Sequence, residues 1–152
     1  MDFIYQDPYP ILKDDTQYKK LTSYFVQLEQ LGNREILTVE PKGLELLAQE
    51  AMNDVSFMLR TAHLQKLNNI LNDPEATDND RFVAYNLLQN AVVAVEGQLP
   101  SCQDTGTAIV MAKKGENVYT GADDAEWLSK GIFNTYQNKN LRYSQIVPIS
   151  MF

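Results

Sequence analysis

The chain has 152 residues, 44% of them hydrophobic, which suits one globular domain that buries about 70% of its unfolded surface. Its net charge of -7 is spread along the sequence, which argues against nucleic acid as a partner because a phosphate backbone requires clustered Lys and Arg. No apolar run approaches the roughly 20 residues that cross a bilayer, and the sequence does not open on a signal peptide, so we expect a cytoplasmic protein with no membrane partner.

The first forty residues predict an arm, a helix and a strand. Residues 2–13 contain two prolines among aromatic residues and indicate an extended arm. Asp15 or Thr16 is expected to cap a helix, which Gly32-Asn33 would end with a turn. The apolar positions of this helix follow three- and four-residue spacing: Tyr18, Leu21, Tyr24, Phe25 and Leu28. Glu35 to Val39 alternates charged and apolar residues as a short strand does.

The middle of the chain predicts three helical stretches. Pro41 suits a first helical position, and helical periodicity then runs from Leu44 to Leu71, with a break near Arg60-Thr61. Asn72-Asp73-Pro74 would stop the second stretch. Thr77 and Asp80 resemble a capping arrangement for a third helix that extends to Gly97. We expect its buried stripe to consist of Val83, Leu87, Leu88, Ala91, Val92 and Val95.

The last third predicts two strands and a helix. Residues 107–112 are β-prone, residues 113–117 form a turn, and Val118-Tyr119 would return as a short strand. Asp123 and Asp124 favour the start of a helix that runs to about Gln137. The expected fold is therefore α+β: a mainly helical single domain over residues 1–152, with a small sheet built from 35–39, 107–112 and the final segment.

The segment between the third helix and the 107–112 strand carries the only cysteine. A lone thiol excludes an intrachain disulfide, so Cys102 is a buried thiol, a reactive thiolate or a metal ligand, and composition does not choose among them. Asp104 follows two residues later among turn-forming residues. On its own it is explained by an Asx-turn that fixes the loop.

The segment from Leu99 to Thr107 resembles the cluster-binding loop of class I fumarate hydratases, the iron-sulfur hydro-lyases that interconvert fumarate and malate. Six further stretches extend the resemblance over most of the chain: Phe3–Gln6, Ala51–His63, Asn72–Ala76, Leu128–Gly131, Asn134–Tyr136 and Asn140–Gln145.

The resemblance implies a role for each residue of the loop. Cys102 would be one thiolate ligand of a [4Fe-4S] cluster whose open iron acts as a Lewis acid. Asp104 would act as a general acid or base near the substrate hydroxyl, with the direction of proton transfer left open. Gln103 and Arg142 would contact the carboxylates of a small dicarboxylate, and the backbone N–H groups of Thr105 and Gly106 would face cluster or substrate.

The same resemblance implies that the chain is one part of an enzyme. The other two cluster cysteines and further basic substrate-binding residues belong to a carboxyl-terminal domain that these 152 residues do not contain. We therefore expect the amino-terminal domain of a homodimeric hydro-lyase, without a cluster of its own and inactive alone. The alternatives are a related hydro-lyase acting on tartrate or methylfumarate, or a non-catalytic interaction module in which Cys102 is buried.

Overall fold

The computed structural model describes residues 3–7, 10, 17–101 and 107–143. Within them the chain forms a hairpin of β1 (Val26–Leu31) and β2 (Arg34–Val39), followed by α1 (Pro41–Phe57), α2 (Thr61–Leu71) and α3 (Asp78–Ala94). The short strand β3 (Val118–Tyr119) then precedes α4 (Asp124–Lys139). This arrangement confirms the α+β class with helices predominant.

The sheet has the strand order β1-β2-β3. β2 pairs antiparallel with β1 and parallel with β3. The hairpin loop has two residues, and Gly32 occupies its first position with a φ of 61°, a conformation that glycine adopts without strain. The strands predicted at 35–39 and 118–119 are therefore confirmed.

Two sequence predictions about secondary structure are wrong. The helix expected over Tyr18 to Leu28 is not formed: residues 17–22 lack regular structure, and β1 begins at Val26. Although the apolar residues have helical spacing, backbone pairing with β2 determines the structure of this segment, and every residue of β1 has a partner on β2. Residues 107–112 do not form a strand either, since no described strand lies beside them.

Other parts of those predictions fall outside the described residues. Asp15, Thr16 and the final segment from residue 144 onward lie there, as does much of the predicted arm. Of that arm, residues 3–7 are exposed and have no regular structure.

The helix boundaries follow the predicted signals. α1 begins at Pro41 and ends at Phe57, and α2 begins at Thr61. The capping box at α3 is formed, because the Asp80 N–H donates to Thr77 Oγ1 at 3.2 Å and the Thr77 N–H donates to Asp80 Oδ2 at 2.9 Å. Asp123 caps α4 with its carboxylate.

The buried stripe of α3 differs from the prediction. Val83, Val92 and Val95 are exposed, whereas Ala84 and Ala94 are the buried residues. α3 packs mainly against α2, and a close contact between two helices favours small side chains at the seam. The larger apolar residues beside that seam consequently remain open.

The tightest packing joins α1 and α4, which run side by side in the same direction. Asn134 Nδ2 donates to Glu45 Oε1 at 2.8 Å, and further along both helices Thr135 Oγ1 donates to the carbonyl of Gln49 at 2.9 Å. At their ends the Lys139 ammonium lies 5.5 Å from the ring centroid of Phe57. A Cβ placed on Gly131 would lie 2.2 Å from the Glu45 carbonyl oxygen, so the two backbones nearly touch.

Candidate functional site

Five of the six candidate site residues lie outside the described residues. Cys102, Gln103, Asp104, Thr105 and Gly106 form the stretch 102–106, and only Arg142 is described. The structure does describe the residues that carry both ends of this stretch. These ends fix where it starts and where it returns.

The stretch starts at the carboxyl end of α1. Ser101 is buried, and its N–H donates to the carbonyl of Ser56 at 2.8 Å. Ser56 is the penultimate residue of α1, is buried itself, and donates its hydroxyl to the carbonyl of Met52 at 2.7 Å. Residue 102 therefore follows directly from a fixed point on the helix pair.

Arg142 follows α4 at the same end of the pair. Asn140 adopts the left-handed conformation (φ 52°), and the Leu141 N–H donates to the carbonyl of Tyr136 at 3.1 Å, which closes the helix as a Schellman-type turn does. Leu141 is only 2% exposed and holds the chain against the body, while Arg142 next to it is exposed. Lys139, the last residue of α4, lies over the ring of Phe57, the last residue of α1. Ser101 and Arg142 therefore lie at the same end of the helix pair.

After the stretch, the described chain runs along the side of the same two helices. Residues 108–112 line a groove of about 440 Å³ together with Leu47, Val55 and neighbouring apolar residues of α1, and with Leu128 and Ile132 of α4. The described residues on both sides of 102–106 thus lie against α1. Ser101 and Ser56 were missed by sequence reasoning, since a backbone hydrogen bond between residues so far apart leaves no local pattern.

The two carboxyl groups whose pKa values are shifted lie in the first turns of α3 and α4. Asp124 is the first residue of α4, and its pKa is lower than the ordinary value. The main cause is the hydrogen bond from Lys114 Nζ, and the second is the hydrogen bond from the Thr120 hydroxyl. The Thr77 side chain similarly lowers the pKa of Asp80. Both groups stabilise helix starts, so their shifts have structural causes.

Over the described ranges, no three carboxylate, thiol or imidazole side chains come together as a metal site requires. Nor is any helix in the part of the chain that the structure describes both long enough and apolar enough to span a membrane.

A family model described as fumarate hydratase (fumerase) matches residues 45–151, which is well over half of the chain. The chain belongs to the fumarate hydratase family. The resemblance inferred from the sequence is therefore confirmed at the level of the family.

Known fumarate hydratases match the chain almost end to end. It is 53% identical to "Fumarate hydratase class I, anaerobic" of Escherichia coli K12 over 150 residues, which cover 99% of the chain and 27% of that protein. It is 51% identical to "Fumarate hydratase class I, aerobic" of Salmonella typhimurium LT2 (99% and 26%), and 46% identical to "Fumarate hydratase 1, mitochondrial" of Leishmania major (91% and 26%). The chain thus spans about a quarter of the length of these relatives.

Proposed function

We propose that this chain is the amino-terminal domain of a class I fumarate hydratase, an enzyme that reversibly hydrates fumarate to (S)-malate with a [4Fe-4S] cluster. The observation that carries the proposal is about 50% identity to class I fumarate hydratases over 99% of the chain. A match of this extent covers the Cys102 segment and the Arg142 segment together, so neither is an isolated motif.

The chain offers one thiolate ligand for such a cluster. Cys102 is the single thiol in the sequence, and among the described residues no cluster of other donors could replace it. Soft thiolate sulfur is the ligand that iron-sulfur clusters prefer. When bound, the cluster supplies a Lewis-acidic iron. The remaining thiolates must come from residues outside this sequence.

Three side chains of the chain would handle the substrate. Arg142 offers a planar guanidinium that pairs with a carboxylate through two parallel hydrogen bonds, and Gln103 offers an amide donor to a carboxylate. Asp104 would exchange a proton with the substrate hydroxyl oxygen as it leaves or adds. Thr105 and Gly106 would add backbone N–H donors. The common emergence of residues 101 and 142 at one end of α1 and α4 supports a single site for these groups.

The incomplete ligand set implies that the chain is inactive alone. We propose that a carboxyl-terminal domain of the complete polypeptide supplies the missing cysteines and further cations for the second carboxylate. The homodimeric assembly and cytoplasmic location of that enzyme remain predictions from the sequence.

The test uses the complete polypeptide in which this sequence occurs, purified without oxygen, and three variants of it. Cys102→Ala is expected to lose the visible absorbance of the cluster and the hydration of fumarate together. Arg142→Lys is expected to keep the absorbance but raise KM for fumarate by about 10- to 100-fold, because lysine keeps the charge but loses one of the two parallel hydrogen bonds, and a hydrogen bond to a charged group is worth roughly 1.5–3 kcal/mol. Arg34→Lys is the matched control, since Arg34 is exposed next to the hairpin turn.

Full activity of Cys102→Ala with no metal bound would overturn the proposal. Assays with tartrate and methylfumarate beside fumarate decide between the proposed substrate and the related hydro-lyases. Hydration of fumarate by the 152-residue chain alone would refute its incompleteness.

A further inference from the structure

The segment that follows residues 102–106 is an apolar run whose larger side chains are exposed. Residues 108–112 read Ala-Ile-Val-Met-Ala and lie along α1 and α4, separated from them by the groove of about 440 Å³. Ile109, Val110 and Met111 are 74%, 52% and 67% exposed. On the wall of the groove Leu47 and Val55 of α1 are also more than half exposed. A contiguous apolar surface of this kind marks a site of contact.

Within the described part of the chain, residues 108–112 make no backbone hydrogen bond. Peptide N–H and C=O groups next to apolar surface require partners once water is removed, so a cover made of side chains alone would leave them unsatisfied. The cover has to supply backbone groups.

The sequence of the segment favours a strand that is buried on both faces. β-branched and large apolar residues favour strands, and an unbroken apolar run is typical of a strand covered on both faces. The adjacent β3 lies at the edge of the described sheet, after the turn that follows the segment. A strand at residues 108–112 would therefore extend that sheet over α1 and α4.

We propose that in the complete polypeptide residues 108–112 become a β-strand, paired with a β-branched, apolar strand from the part of the polypeptide beyond these 152 residues. The proposal rests on the proposed function, namely that the chain is one domain of a longer enzyme. The length of the relatives argues for this occupant, since about three quarters of each lies outside the match.

The experiment compares amide hydrogen exchange at residues 108–112 in this chain and in the complete polypeptide. In the 152-residue chain we expect fast exchange. In the complete polypeptide we expect exchange slowed by at least about a hundredfold, as for strands within a cooperative unit. Val110→Pro, which removes a ladder donor, should abolish this protection, whereas the matched variant Val110→Thr, which keeps a β-branched residue, should retain it.

Three outcomes would overturn the inference: fast exchange of residues 108–112 in both proteins, protection already present in the monomeric 152-residue chain, or protection only where light scattering shows a dimer of that chain. The cluster absorbance and fumarate hydration of the same complete polypeptide keep this test separate from the proposed function. An active, cluster-bearing enzyme with fast exchange at 108–112 refutes the strand alone. A protected strand in a protein without cluster or activity refutes the function alone.

Discussion

Replacing Gly131 by alanine tests the contact between α1 and α4 directly. The new methyl group would lie 2.2 Å from the Glu45 carbonyl oxygen, 2.9 Å from the Ala48 Cβ and 2.9 Å from the Gln49 nitrogen. Real Cβ atoms essentially never come closer than 3.0 Å to a neighbour. Because two of these neighbours are backbone atoms, no side-chain rotation relieves the clash, and the helices must separate.

The magnitude follows from two opposing effects. Overpacking costs about 1–3 kcal/mol and occasionally more, and a backbone clash places this site at the upper end. Alanine in place of glycine within a helix returns about 1 kcal/mol. We therefore expect the free energy of unfolding to fall by about 2 kcal/mol, which corresponds to about 4–8 °C in Tm for a chain of this size.

Urea and thermal unfolding of the 152-residue chain, followed by circular dichroism, measure this change. Ser129→Ala is the matched control because Ser129 is exposed on the same helix, and it should raise stability by about 0.5 kcal/mol. If Gly131→Ala were as stable as the parent chain, or gained stability as the control does, the close approach of the two helices would be refuted.

Three further predictions concern helix ends and pH. Thr77→Ala should lower the free energy of unfolding by about 1 kcal/mol because it removes the capping box of α3, and urea unfolding that gave no loss would contradict this role. Asn140→Ala should cost about 1–2 kcal/mol because of its left-handed backbone, whereas Asn140→Gly should cost nothing; equal urea midpoints for the two variants would refute the strained turn. The pKa of Asp124 is lower folded than unfolded, so its stabilisation is present above the unfolded value of about 3.9 and is lost as the pH falls through the folded value. Urea midpoints measured from pH 6 to pH 2 should therefore fall less steeply for Asp124→Asn, and an unchanged slope would exclude the bond to Lys114 as the cause.

Local chemistry made part of the fold predictable. The helix starts are set by residues within one turn of each other: the side chains of Thr77 and Asp123 accept from backbone N–H groups, and Pro41 has no N–H that needs a partner. Their effect can therefore be predicted from a few neighbouring residues. The elements that sequence reasoning missed depend on distant partners. β1 exists because β2 pairs with it, although its residues also fit helical spacing.

The candidate site is a prediction that rests on resemblance rather than on pattern. A lone cysteine and an aspartate two residues later are ambiguous by themselves, and their common role is what the resemblance to the family implies. That the segments of Ser101 and Arg142 emerge together could not be inferred from the sequence. It results from the parallel packing of α1 and α4.

This parallel packing also constrains how the chain folds. The side chains that join the two helices are separated by 86 and 89 positions, so the intervening chain must loop back along the full length of the pair before the seam can close. Contacts of such long separation carry the loop-closure entropy of all that chain and slow folding. Because the contacts of the β1–β2 hairpin and of the α2–α3 pair are local, we expect both to form before α4 docks against α1.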